Sequence, residues 1–331
     1  MEKSLLVALV AVLISLVAVG LVITKLPVEL PPLEIPAELK ALPARISAIE
    51  ASLEKKIEGP IYGGTSLGFV IEFENGKRLY ISGDTGLMAD MKFIIGDYYK
   101  PDIALLTCGG VFTMDMEAAA FATTLINPEK VGCMHYGTFP ILDGWTGDPL
   151  KPNVTKFVKL VNQYRAEGKT RAVPLEILPG DTINLDGVKI EWLGHENFLI
   201  TTVKGTKILV DTWFEGNPGC PEKYKNVDVL EGIYLLLLTH LHLDHFSPDE
   251  FSRIVKKHDP IVIVEWESGE YLRATYPEVK KMIVANKGGV LDRRVIENFL
   301  GIQAPEMEGI KVILVAASHT SSPPFKLWRE S

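Results

Sequence analysis

Residues 233–245 read IYLLLLTHLHLDH, and the fold and the chemistry both turn on them. The stretch opens as an unbroken apolar run, as expected of a strand covered on both faces. His240 and His242 stand two apart where that strand ends, so they point the same way from an extended segment. Asp244 and His245 follow and turn toward a second point. Four imidazole or carboxylate side chains within six residues form a metal-binding arrangement, whereas a metal-free surface cluster rarely shows this spacing.

The rest of the chain agrees with a folded enzyme-sized domain. It has 331 residues, 47% of them hydrophobic and 23% charged, which is globular and not disordered. The net charge of -8 disfavours nucleic acid and anionic lipid as partners, since both need a basic patch. Cys108, Cys133 and Cys220 are too few and too scattered for a disulfide scaffold or a cysteine-rich zinc module.

From about residue 60, short Val/Ile/Leu-rich runs alternate with turn residues. Strands are expected at 68–73, 78–83, 103–108, 130–135, 188–193, 197–203, 206–212, 233–239, 261–266 and 311–317, and helices at 115–126, 153–167 and 248–257. This pattern predicts an α+β layered domain.

The N-terminus differs. Residues 5–24 carry no charge and as a helix would span about 30 Å, the thickness of a bilayer core. An uncleaved membrane anchor is expected over a cleaved signal peptide, because the run is long and no clean cleavage site follows. Lys3 in a four-residue tail favours a cytoplasmic N-terminus and an extracytoplasmic domain. Residues 25–58 form a Pro-rich spacer and then a short amphipathic helix, with Ile46, Ile49, Leu53 and Ile57 at helical spacing. That helix lies on a surface or, on a sharper reading, forms a small oligomerising coil.

HLHLDH resembles the signature of the metallo-β-lactamase-fold hydrolases. IEWLGHENFLI (190–200), KILVDTWFEGNPGCP (207–221), IYGGTSLGFVIEF (61–73), ISGDTGLMADM (81–91) and MHYGTFP (134–140) resemble segments of the uncharacterised metal-dependent hydrolases of that superfamily. Those are similar in turn to ascorbate-6-phosphate lactonases and, more distantly, to N-acylphosphatidylethanolamine phospholipases D. The segments stand here in a rotated order: the family's later motifs come first, and the LGH segment that opens the family domain begins only after Gly187. The resemblance therefore implies a four-layer αββα sandwich, circularly permuted and preceded by a transmembrane helix. Residues 59–187 would be the family's C-terminal half and 188–331 its N-terminal half, in one domain.

Carried over residue by residue, the resemblance implies one metal on His240, His242 and His319 and a second on Asp244, His245 and His135, with Asp84 between them. The ions would be Zn or Mn, with Fe a third candidate. A metal-activated water would cleave an ester, lactone or phosphodiester in a small-molecule or lipid-like substrate. Asp84 and Asp244 could accept protons, and His195 or Tyr136 could steady an oxyanion. Asp211 reads as a carboxylate orienting a ligand imidazole. His195 could equally cap a strand end, and Cys133 reads as a buried structural thiol rather than an auxiliary ligand. The rivals are a catalytically silent binding or sensor protein on the same fold and a nuclease of the superfamily. The absence of a Lys/Arg-rich appended segment weighs against the nuclease.

Overall fold

The computed structural model describes residues 62–323. The expected anchor at 5–24 and the expected spacer and helix at 25–58 lie outside the described residues. Among the described residues no helix is long and apolar enough to cross a membrane.

The chain folds into two seven-stranded sheets. The first contains β1 (Thr65–Glu72), β2 (Arg78–Ile81), β3 (Ile103–Thr107), β4 (Lys130–Met134), β5 (Val173–Leu175), β13 (Val290–Leu291) and β14 (Lys311–Thr320), in the order β13-β14-β1-β2-β3-β4-β5. The second contains β6 (Thr182–Leu185), β7 (Val188–Trp192), β8 (Phe198–Thr201), β9 (Lys207–Val210), β10 (Ile233–Leu237), β11 (Ile261–Glu265) and β12 (Met282–Ala285), in the order β12-β11-β10-β9-β8-β7-β6. Both sheets are mixed. Strands β2 to β5 and β9 to β12 run parallel, and the remaining neighbours are antiparallel.

Alternation along the strands shows how the layers stack. In β10, Leu235 and Leu237 join the core shared with the first sheet, while Leu236 packs on the other side with Phe251, Ile254 and Val255. In β11, Ile261 and Ile263 face inward and Val262 and Val264 outward in the same way. A period-2 apolar run with both faces buried is what a sheet between a second sheet and a helical layer requires.

The helices are α1 (Met116–Ile126), α2 (Thr155–Ala166), α3 (Pro248–His258), α4 (Trp266–Thr275) and α5 (Arg293–Leu300). A π-helix, Met91–Tyr99, lies against α1. Asp115 starts α1 by accepting a hydrogen bond from the Ala118 amide at 2.7 Å, and Pro248 opens α3. The strands and helices expected from sequence are present within a few residues of their predicted bounds. Strands β5, β6, β12 and β13, the π-helix, α4 and α5 were not expected. Their apolar runs are short, and their pattern gains meaning only from the neighbours that cover them.

Glu265 ends β11 and caps α4, accepting from the Glu267 amide at 3.0 Å. Burial, with Glu267 beside it, pushes its carboxyl up to about 7. A raised carboxylate contributes stability below its unfolded value of about 4.5, lost as pH rises toward 7. Acidification from pH 8 to pH 5 is therefore expected to raise the stability of the native chain relative to Glu265→Gln, which lacks this titration. Denaturant titrations at the two pH values check it, and an unchanged pH slope in the variant would contradict it.

Candidate metal centre

The cluster sits where several strands end, so each functional side chain is placed by a strand and aimed by the turn after it. β10 ends at Leu237, and Thr239 then anchors the histidine-rich turn: its amide and hydroxyl donate to Asp211 at 2.8 and 2.7 Å. The turn closes on itself, with the His245 and Phe246 amides donating to the His242 carbonyl at 2.9 and 2.8 Å. His135 follows β4, His195 follows β7, Asp211 follows β9 and Asp84 follows β2. The Ser318 amide donates to Thr85 Oγ1 at 2.9 Å, which ties the Asp84 loop to the end of β14 where His319 sits.

His135, His195 and Asp211 adopt left-handed backbone conformations, with φ of 53°, 55° and 57°. Such residues cost on the order of 1–3 kcal/mol each and persist where the surroundings over-determine them. Gly83 and Gly109 permit the close approaches. A Cβ on Gly83, itself at φ 63°, would meet the Leu67 carbonyl at 2.0 Å, and one on Gly109 would meet the His135 carbonyl at 2.1 Å. Gly109 thus makes room for the His135 loop.

The structure brings His135, His195, His240, His242, His245, His319, Asp84 and Asp244 together. His242 Nδ1 lies 3.0 Å from His240 Nε2 and 3.3 Å from His319 Nε2, so these three form one nest. His135, His195, Asp244 and His245 form a second. Asp84 Oδ2 stands between them, 3.3 Å from His135 Nε2, 3.4 Å from His245 Nε2, 3.6 Å from His319 Nε2 and 3.8 Å from His240 Nε2. Asp84 Oδ1, His135 Nε2 and His245 Nε2 are buried without a hydrogen-bond partner. Unspent imidazole and carboxylate donors converging in a buried space fit divalent ions of the Zn, Mn or Fe type.

Electrostatics agree. Burial lowers His195 to about 3 and His242 to about 4, so both are neutral near pH 7. Burial opposes charge on His135, yet the Asp84 and Asp244 carboxylates raise it to about 9. Despite its own burial, Asp84 is held well below the usual carboxylate range by His135 and His245. These imidazoles hold protons that a divalent cation would displace.

Asp211 lies behind His245, its Oδ2 2.9 Å from His245 Nδ1. His195 Nε2 lies 3.3 Å from Asp244 Oδ2, and its Nδ1 lies 2.9 Å from Thr138 Oγ1. A neutral His195 satisfies both by donating from Nε2 and accepting at Nδ1. Two expectations need correction. Tyr136 cannot steady an oxyanion: its hydroxyl donates to the Ile177 carbonyl at 2.9 Å and its ring stacks on Trp192. Cys133 is not a free thiol, because parallel pairing of β3 with β4 sets it beside Cys108 and the two form a disulfide.

Glu196 was missed. It is fully buried, its Oε2 lies 3.4 Å from His245 Nδ1, and neither oxygen has a hydrogen-bond partner. Burial, with the Asp84 carboxylate nearby, pushes it well above the usual carboxylate range. The signal available in the sequence was a lone Glu between LGH and the apolar strand NFLI.

Residues 189–319 match a β-lactamase superfamily domain, and residues 18–136 match a second domain description of that superfamily. A UPF0173 metal-dependent hydrolase of Methanosphaera stadtmanae is 54% identical over 78 residues, which are 24% of this chain and 33% of that protein. One from Thermodesulfovibrio yellowstonii is 41% identical over 126 residues, 38% of this chain and 42% of that protein. The chain thus spans a third to under half of the length of these relatives. Among solved structures, the metallo hydrolase Igni18 of Ignicoccus hospitalis aligns at 30% identity over 42% of this chain and 66% of its own, with a TM-score of 0.27. YhfI of Bacillus subtilis, a metallo-β-lactamase fold protein, aligns at 11% identity over 67% of this chain and 98% of its own, with a TM-score of 0.40.

Proposed function

We propose that this chain, whose two sheets form a mixed α/β metallo-β-lactamase fold, is a metal-dependent hydrolase with a dinuclear centre. The observation that carries the reading is the pair of adjacent nests with Asp84 Oδ2 between them. His240, His242 and His319 would hold one ion, and His135, His245 and Asp244 the other. When bound, divalent ions supply Lewis acidity toward a substrate oxygen and lower the pKa of water. The remaining work falls to the protein. Asp244, whose side chain is one-third exposed, offers the carboxylate of the centre nearest solvent, and despite its burial the His245, His135 and His195 imidazoles hold it well below the usual carboxylate range. His195 is buried, so it acts as a positioning residue that fixes Asp244 while Thr138 fixes it. Asp211 orients His245. The bond broken is an ester, lactone or phosphodiester.

Metal analysis of the purified full chain after loading with Zn or Mn tests this. Two ions per chain are expected; none would overturn the reading. One ion with no turnover of any generic ester or phosphodiester would favour a binding protein.

The proposal includes the circular permutation. It is supported by the backbone where the two ends of the described domain meet: Thr65 pairs with Thr320, and the Gly63 and Ser321 backbones bond at 3.0 Å. It is supported also by the tight β6–β7 hairpin, in which Leu185 pairs with Val188 around Asp186 and Gly187, both at positive φ. A chain reopened between Asp186 and Gly187, with a short linker joining Ser321 to Gly63, is expected to fold with unchanged metal content. Rewiring alters chiefly loop entropy, about 1 kcal/mol. Circular dichroism and metal analysis check it, and an unfolded product would count against the permutation.

We place the chain at a membrane through residues 5–24, with the catalytic domain extracytoplasmic and no nucleic-acid partner. The uncharged 20-residue run and the acidic balance support this.

A further inference from the structure

The segments that build the centre share a property that the metal ligands do not require. Residues 83–91, 108–117, 134–150, 194–197, 211–222, 238–249 and 316–323 contain no Lys or Arg. They carry Asp90, Asp115, Asp143 and Asp148 in addition to the carboxylates of the centre. A phosphoryl or carboxylate group on a substrate is ordinarily gripped by Arg or Lys, which match its charge and geometry. Bound ions would serve the reacting group, but an anionic group further along the substrate would find no Lys or Arg in these described segments to grip it.

Apolar side chains also stand at the same place. Phe139 and Trp213 stand 5.9 Å apart between ring centroids, and they lie 6.1 and 5.2 Å from the His195 ring. They form a wall beside the second nest, in which Phe139 is half-buried and Trp213 is 9% exposed. Exposed apolar tips rise from the loops that bear the ligands. Leu243 sits between His242 and Asp244, and Leu87 follows Gly86, whose amide lies 3.4 Å from the Ser318 carbonyl. Phe112 belongs to the loop whose Met114 amide donates to Thr85, and Ile141 to the loop whose Asp143 amide donates to Gly109. The accessible part of the cluster is Asp244, His242 and His319, so the approach to it is apolar on several sides.

We infer that the site takes an uncharged acyl substrate, a carboxylic ester or lactone with an apolar alkyl or aryl body, and that Phe139 and Trp213 are specificity-determining residues for that body. The inference rests on the hydrolase reading above and narrows it against phosphodiesters. In the reaction, the oxygen of water bonds to the carbonyl carbon and the acyl C–O bond breaks. The departing alkoxide takes up the proton that water loses, giving an acid and an alcohol from an ester, or one hydroxy acid from a lactone.

The test uses the full chain loaded with Zn or Mn. The probes are p-nitrophenyl acetate, butyrate, octanoate and hemisuccinate, together with bis(p-nitrophenyl) phosphate. Butyrate and hemisuccinate have acyl chains of equal length and differ in charge, and butyrate is expected to react with at least ~10-fold higher kcat/KM. Each methylene buried on the wall is worth up to about fourfold, so octanoate should exceed acetate by ~30-fold or more. Phe139→Ala and Trp213→Ala should reduce that ratio about tenfold while leaving metal content unchanged. Leu87→Lys, an exposed change that does not disturb the core, should raise hemisuccinate relative to butyrate. Hemisuccinate equal to butyrate, or the phosphodiester cleaved in preference to the esters, would overturn the inference and leave the hydrolase reading standing. No cleavage of any probe would overturn the hydrolase reading itself. Calorimetric binding of octanohydroxamate against acetohydroxamate then reads the wall independently of turnover: tighter binding of the longer chain, lost in Trp213→Ala, supports it, and equal affinities refute it.

Discussion

Asp84→Asn is expected to lower turnover of any ester probe by about three orders of magnitude or more, equal to ~4 kcal/mol of barrier. Asp84 Oδ2 lies within 3.3–3.8 Å of four imidazole nitrogens from both nests, and Oδ1 is buried without a partner. The substitution keeps the shape and removes the charge. Among the proposed metal ligands, Asp244 is then the one carboxylate left. The fold should survive, because Asp84 contributes to the cluster and not to the apolar core. Metal content of the purified variant should fall below two per chain. Steady-state kinetics and elemental analysis read the two effects separately. Wild-type kinetics in Asp84→Asn would remove Asp84 from its place between the ions.

The second large effect is expected at Asp211. Its carboxylate accepts from the Thr239 amide, the Thr239 hydroxyl and the His245 ring, all between 2.7 and 2.9 Å, and it is fully buried. Asp211→Asn keeps the left-handed backbone that Asn tolerates. It also replaces one acceptor by an NH2 donor, so at least one of three buried donors loses its partner. That costs about 1–3 kcal/mol of stability. With His245 no longer held at Nδ1, metal affinity should fall about 10–100-fold. Chemical denaturation and a chelator competition measure these. Unchanged affinity, with only the stability loss, would make Asp211 a structural residue and not an orienting one.

The two variants separate what the local sequence carries from what it does not. Asp84 and Asp211 were both legible as carboxylates at strand ends within recognisable segments. A residue's position after an apolar run says where its backbone turns, and ligand types near a strand end announce metal chemistry. The resemblance to metal-dependent hydrolases, and not local spacing, implied that His135, His240, His242, Asp244, His245 and His319 meet, although 235 residues separate Asp84 from His319. Tyr136 shows the limit. Adjacent to His135, it turns its ring onto Trp192 and its hydroxyl to Ile177, partners 56 and 41 residues away.

What the sequence determined by itself was the kind of donor, the strand each follows, and the alternation that makes β10 and β11 inner strands. These depend on local spacing and on the period-2 geometry of a strand. Only the tertiary structure decided which donors meet. Association of the turns that follow β7 and β10 gave His195 its contact with Asp244 and buried Glu196 against His245, and parallel pairing of β3 with β4 set Cys108 beside Cys133. It also decided that Phe139 and Trp213, distant in sequence, form one wall. The physical reason is that burial and side-chain contact are properties of surfaces brought together from remote segments, and no local period encodes which surface arrives.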